Sequence, residues 1–159
     1  MADMLVKLYG LPGLESALAG ASARGVIVRR AITPEKPEVL AWMRANFPAW
    51  AAEMEAAFCR APVSSFLAVR GESLLGFACY DATCRNFFGP TAVLAAERGH
   101  GLGRALLLAA LHAQREQGYA YSIIGGVGPA DFYVKAVGAI PIEGSTPGVY
   151  AGMLAARRP

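Results

Sequence analysis

The chain has 159 residues, with 15 Lys and Arg against 12 Asp and Glu for a net charge of +3. A core of this size buries about two thirds of the unfolded surface, so one cooperative domain suffices. The mild charge is spread along the chain, with Arg29-Arg30 and Arg157-Arg158 as short doublets, which argues against a nucleic-acid partner.

The N-terminal stretch, Met1 to Leu14, contains Asp3 and Lys7 and is broken by Gly10, Pro12 and Gly13. It is not a secretion signal, and a cytoplasmic location is expected. Residues 1–24 are set apart as an extension, with Leu5 to Tyr9 as an edge strand and Leu14 to Ala21 as a short helix; residues 25–159 form the main domain. Gly25 to Ala31 (GVIVRRA) reads as a strand, and Thr33-Pro34-Glu35 signals a helix running to about Asn46. After Pro48, Ala49 to Cys59 reads as a second helix closed by Arg60-Ala61-Pro62. Phe66 to Arg70 and Leu74 to Ala82 form a hairpin around Gly71-Glu72-Ser73, and Thr91 to Ala95 is the next strand.

A long helix spans about Leu102 to Gln117, with Leu102, Leu106, Ala109 and Ala113 on one face, widened by Leu107 and Leu111. Arg104, Gln114, Arg115 and Gln117 fall elsewhere. A strand at Tyr121 to Ile124, a short helix after Pro129, and two late strands near Ala139 to Ile142 and Val149 to Leu154 complete the order. Hydrophobic residues make up 55% of the chain, yet no apolar run reaches the roughly 18 residues of a membrane helix. That surplus points to a buried subunit interface, for which a homodimer is the commonest form.

Between the strand and the long helix stands Arg98-Gly99-His100-Gly101-Leu102-Gly103. Glycines let the backbone turn tightly and expose its amides, while the helix start adds unpaired N–H groups and a positive dipole end worth roughly 0.3 to 1 kcal/mol per facing charge. The pattern predicts a phosphate cradle. A dinucleotide fingerprint would need glycine where Arg104 stands and an acid about twenty residues on, which Ser122 to Val127 lacks. A Walker A loop would need Gly-Lys-Ser/Thr, which is also missing.

The remaining pattern, Arg-x-x-Gly-x-Gly at Arg98, Gly101 and Gly103, resembles the coenzyme A motif of the GNAT superfamily of acyl-CoA-dependent N-acyltransferases, and the order of elements is similar too. The resemblance covers roughly Val26 to Leu154. It implies an α/β (α+β) fold with a mixed, mostly antiparallel sheet of six to seven strands and flanking helices. It also implies acetyl-CoA as co-substrate, held by Thr91, Ala92, Val93, Arg98, Gly99, His100, Gly101, Leu102, Gly103 and Arg104, with an oxyanion donor near the main-chain N–H of Val93. Downstream, Ala130-Asp131-Phe132-Tyr133-Val134-Lys135-Ala136-Val137-Gly138-Ala139 is similar to a second family motif, with one residue more than usual between Tyr133 and Gly138. On that resemblance Tyr133 is the general acid toward the departing thiolate.

Acyl transfer needs a neutral amine. At neutral pH an amine with a pKa near 10.4 costs about 4 to 5 kcal/mol to deprotonate, so a carboxylate acting directly or through water is expected. The base is open between Asp81, at the end of a strand, and Glu53 or Glu55, on the helix bordering the acceptor groove. Glu97 adjoins the cradle, where its charge would repel phosphate, and is expected to face away. Gly125-Gly126-Val127-Gly128 is either a plain turn or a glycine wall beside the pantetheine arm. Cys59, Cys79 and Cys84 form no Cys-x-x-Cys pair, and with His100 and His112 they offer no metal constellation, so reduced, mostly buried thiols and no metal are expected. The resemblance implies that the acceptor is read by residues 32–62 and 142–150, which are rich in Ala, Pro and Trp with few charges and favour a small or partly apolar amine over a basic peptide. Two functions stay open: an N-acetyltransferase, and a non-catalytic acyl-CoA-binding sensor or subunit. Propionyl or succinyl cargo is a further variant of the first.

Overall fold

The computed structural model describes residues 2–154, so the Arg157-Arg158 doublet lies outside the described residues. Its strands are β1 (Met4–Lys7), β2 (Ile27–Arg30), β3 (Ser65–Arg70), β4 (Ser73–Tyr80), β5 (Phe87–Val93), β6 (Tyr121–Ile124) and β7 (Ile140–Pro141). The α-helices are α1 (Glu15–Ser22), α2 (Lys36–Asn46), α3 (Ala51–Phe58), α4 (Leu102–Glu116) and α5 (Ala130–Val137). One seven-stranded sheet runs in the order β2-β3-β4-β5-β6-β1-β7. Its pairings are antiparallel except β5 with β6, which is parallel.

Both faces of the sheet are covered, which explains why β4 is apolar almost throughout. Alternate side chains point to opposite faces of a strand. Phe77 and Cys79 therefore join Val39, Leu40, Met43, Met54 and Phe58 of α2 and α3, while Ala78 and Tyr80 join Leu106, Leu107 and Leu111 of α4. α4 lies between the sheet and α1, so it is buried around most of its circumference rather than along one stripe. Gln114, expected off the apolar face, is fully buried on the side of α4 that meets β5 and β6. Its amide is satisfied by the Ser122 hydroxyl, which donates to Oε1 at 2.7 Å, and by the Phe87 carbonyl, which accepts from Nε2 at 3.4 Å.

Two expected strands turn out differently. The strand expected at an edge, β1, lies inside the sheet, with Leu5 opposite Ile123 on one side and Ile140 on the other. Its Met4 and Val6 are buried in the α4 core. The strand expected at Val149 to Leu154 is absent: Gly148–Tyr150 is a short 3-10 turn, and Gly148 and Gly152 hold φ of 58° and 70°, which extended backbone excludes. β1 already occupies the ladder between β6 and β7.

Candidate active site

The site begins where two neighbouring strands part. β5 and β6 pair only at Phe87 with Ile123 and Phe88 with Ile124. Beyond them comes Gly89-Pro90, where the register with β4 also slips between Ala78 and Tyr80. Proline has no N–H to donate and Gly89 has φ of 119°, so the ladder cannot continue. Gln114 holds the two strands together just before they separate, through the Ser122 and Phe87 contacts described above.

Past the break, β5 shows one edge to the opening. The Leu94 N–H donates to Leu75 O at 2.9 Å. In an antiparallel pair, alternate residues point their N–H and C=O to opposite sides. Thr91 and Val93 therefore aim their amides away from β4, into the opening. The Thr91 hydroxyl turns back and donates to Phe77 O at 2.8 Å, so this residue offers the opening its main chain rather than its side chain.

The predicted cradle follows directly. Gly99 and Gly101 have φ of 80° and 82°, a left-handed conformation that glycine adopts without a Cβ penalty. Gly101 is the N-cap of α4, and Ala105 N is the first amide to bond back, to Gly101 O at 3.0 Å. The N–H groups of Leu102, Gly103 and Arg104 thus face outward from the first turn without intrahelical acceptors. Leu102 is buried and fixes the helix's direction, whereas His100 and Gly101 are exposed. Arg98 is exposed, but its Nε donates to the Val93 carbonyl at 3.0 Å. Glu97, which would repel a phosphate, is held in a two-pronged ion pair by Arg70 at 2.8 and 2.9 Å. That pair holds the Glu97 carboxyl below its usual range.

On the other side of the break lies a groove of about 560 Å³, lined by Trp50 and Glu53 from the α2–α3 region, Thr83, Phe87 to Thr91, Ile124 to Pro129, Tyr133 and Tyr150. Glu53 accepts a hydrogen bond from the Thr83 hydroxyl at 3.0 Å. Tyr133 is buried on α5, its ring against Phe88 and Phe132 at centroid distances of 6.3 and 5.0 Å. Burial raises its phenol above the ordinary value, so the proton stays on. The extra residue before Gly138 produces no bulge: α5 runs unbroken to Val137, and Gly138 N bonds to Val134 O at 3.0 Å in a left-handed cap at φ 64°.

Of the three acids considered as base, the structure brings only Glu53 to the groove. Asp81 is buried elsewhere: its carboxylate accepts from Asn86 N–H at 2.7 Å and from the Tyr119 hydroxyl at 3.2 Å, closing the turn between β4 and β5. This corrects its expected placement at the groove, because the turn takes one oxygen and Tyr119 the other. Glu55 is exposed and pairs with Lys36 at 3.5 Å. The cysteines also differ from expectation: Cys79 is buried, but Cys59 is exposed and Cys84 half-buried.

Two residues at the groove have no signal in the motifs. Tyr150 leans over Gly125 so closely that a Cβ there would stand 2.8 Å from its hydroxyl and 2.9 Å from the Phe87 ring. Within the turn from Gly125 to Gly128 only Gly125 is packed this closely, and a Cβ at Gly128 would meet nothing. Asp3, from the N-terminal segment, accepts from Gly126 N–H at 2.9 Å and ties down residue 145 through a 2.8 Å bond from its own N–H to the Ser145 hydroxyl. The adjacent glycines were the available sign of a close approach; nothing in the sequence named their partners.

Comparison with known proteins follows the same lines. The sequence model of the acetyltransferase (GNAT) family matches residues 30–138. No curated protein matches the chain. Among solved structures, the chain is similar to a GCN5-related N-acetyltransferase from Sphaerobacter thermophilus, with a TM-score of 0.66, 16% identity, and coverage of 89% of this chain and 48% of that one. It is also similar to a GCN5-related N-acetyltransferase from Kribbella flavida, with a TM-score of 0.55, 17% identity, and coverage of 88% and 53%. A third likeness is to a structure of a fungal multi-domain GH3 β-N-acetylglucosaminidase, described as having a GCN5-related glucosamine N-acetyltransferase region, with a TM-score of 0.72, 15% identity, and coverage of 89% and 19%. At these identities the likeness is one of fold. The chain spans between about a fifth and a half of the length of these structures.

Proposed function

The chain belongs to the acetyltransferase (GNAT) family, and from that premise we propose that it transfers an acetyl group from acetyl-CoA to the primary amine of a small, partly apolar acceptor. The observation that carries this reading is the single strand β5: it leaves β6 at Phe88, lines the groove beside Tyr133 and Glu53, and ends at Val93 just before the cradle. The cradle fits a diphosphate because both its positive-φ turns are glycine and three helix amides face outward.

The residues divide the work as follows. Amides at Leu102, Gly103 and Arg104 would hold the diphosphate, with Arg104 adding charge. Acetyl-CoA, when bound, supplies an activated thioester. Val93 N–H donates to the acyl oxygen as negative charge gathers there, which costs no reorganisation because β5 already aims it outward. Glu53 takes the amine's proton, directly or through one water, and Tyr133 O–H gives a proton to the departing sulfur. Attack is direct, so no cysteine takes part. Trp50, Phe87 and Tyr150 around one carboxylate support an acceptor with an apolar body and a single amine.

The proposal includes a cytoplasmic setting and a homodimer; exposed Tyr9, Tyr121 and Ile140 are apolar side chains on which such an interface could draw, and sedimentation reads the oligomer directly. A panel of small amines incubated with acetyl-CoA, scored by release of free thiol, tests the activity. Turnover of at least one arylalkyl or alkyl amine is expected. Tight acetyl-CoA binding with no turnover on any amine would instead favour a non-catalytic sensor, and competition among acetyl-, propionyl- and succinyl-CoA reads the cargo.

A further inference from the structure

At the end of α4 remote from the cradle, roughly 22 Å along a helix of this length, lies a second cavity of about 470 Å³. It sits between the last turn of α4, the link from α3 to β3, and the end of β4, and shares no lining residue with the groove. Its chemistry is one-sided. Arg30 sits half-buried with its guanidinium 4.7 Å from the centre of the Phe66 ring, and Nη1 alone makes its main contacts, donating to Val63 O at 2.7 Å and to the Tyr80 hydroxyl. Among the described residues, no carboxylate lies within ion-pair distance of it and its Nε and Nη2 have no acceptor. That Nε–Nη2 edge is the fork that meets a carboxylate or phosphoryl group in two parallel bonds.

Two further donors line the same cavity. Tyr80 Oη accepts from Arg30 and from Gln117 Nε2 at 2.9 Å, which leaves its own proton to give. Ser64 is 1% exposed and its hydroxyl has no hydrogen-bond partner among the described residues. A purely structural arginine would account for the stacking and for Nη1. It would not account for the buried Ser64 hydroxyl and the Tyr80 phenol proton left without acceptors at the same cavity, since buried donors are normally paired. Arg60 also lines the cavity against Glu116, so with Arg30 the lining carries a net positive charge.

We infer that this cavity binds a small oxyanion, a carboxylate or phosphate group, received by the Arg30 fork and the hydroxyls of Tyr80 and Ser64. The inference is independent of the acyl-transfer reading. It is tested by following the Arg30 Nε–Hε resonance of the full chain by NMR during titration with sodium acetate in one series and inorganic phosphate in another. A saturable shift is expected in at least one series, weakened about tenfold or more in Ser64→Ala, as loss of a hydrogen bond to a charged group predicts. The tighter series identifies the carboxylate or the phosphate as the source. Arg98→Ala, which alters the cradle and the adjoining end of β5 but nothing that lines this cavity, should leave the shift unchanged. A linear drift with both salts, saturation indifferent to both Ser64→Ala and Tyr80→Phe, or loss of the shift in Arg98→Ala would each overturn the assignment.

Discussion

The side chain of Arg98 donates from Nε to the main-chain carbonyl of Val93 at 3.0 Å. This bond ties the first residue of the cradle motif to the strand end whose amide faces the opening, so in the proposed mechanism one side chain positions both the phosphate loop and the oxyanion donor. Arg98→Ala should therefore lower kcat as well as affinity for acetyl-CoA, by about tenfold in kcat/KM, the scale of one lost charge-assisted hydrogen bond. Steady-state kinetics reads it, and a change confined to KM would assign Arg98 to phosphate contact alone.

Glu53→Gln keeps the shape of the Thr83 contact and removes the charge. Activity should fall by roughly 10² to 10⁴, the range for a lost general base, with melting temperature little changed. Full activity in the variant would exclude Glu53 as base.

Tyr133 must keep its proton to serve as acid, and burial raises its phenol above the ordinary 10.0. The wild-type rate should therefore show no loss from this group as pH rises toward 9, because the protonated form persists until the raised value is passed. Tyr133→Phe should lower kcat with little change in acetyl-CoA affinity. An unchanged kcat would reduce Tyr133 to a wall of the groove.

Burial pushes the Cys79 thiol up from its ordinary 9.0 to about 12. The folded state thus holds this proton more tightly than the unfolded chain does. The sign follows: its contribution is fully present below pH 9 and is lost as pH rises toward 12, amounting to the order of 4 kcal/mol at about 1.4 kcal/mol per pH unit. Cys79→Ala should flatten the alkaline fall in denaturant midpoint over that window, although the cavity it leaves lowers stability at neutral pH.

Gln114 bridges β5 and β6 from inside the core, and its loss leaves the Ser122 hydroxyl only the longer contact to the Asn86 carbonyl at 3.4 Å. Gln114→Leu should cost about 1 to 3 kcal/mol, the scale of two lost buried hydrogen bonds, and should raise KM for acetyl-CoA by loosening the point where the strands part. Urea unfolding and kinetics together separate the two effects.

Much of this was legible because local chemistry forces it. The glycines at 99 and 101 announced left-handed turns, and α4 followed at the predicted residue. What escaped depended on distant partners. Gln114 fell outside the apolar stripe, and only its partners on β5 and β6 show that it faces the sheet. The strand expected at Thr91 to Ala95 runs from Phe87 to Val93, so Gly89-Pro90 lies inside it and is the irregularity that parts the strands. Asp81 lost its candidacy to a turn that only the folded chain closes. Glu53 was named among three acids, and only the packing of α3 beside Thr83 singles it out.

The place of β1 sets an order of events. Met4–Lys7 pairs with Tyr121–Ile124 and with Ile140–Pro141, more than a hundred residues further along. Neither ladder can form until those distant segments are in place. Contacts of such long sequence separation slow folding. A proline in place of Leu5, which is paired on both sides, would burden that closing step far more than one in an exposed loop such as Gly71-Glu72.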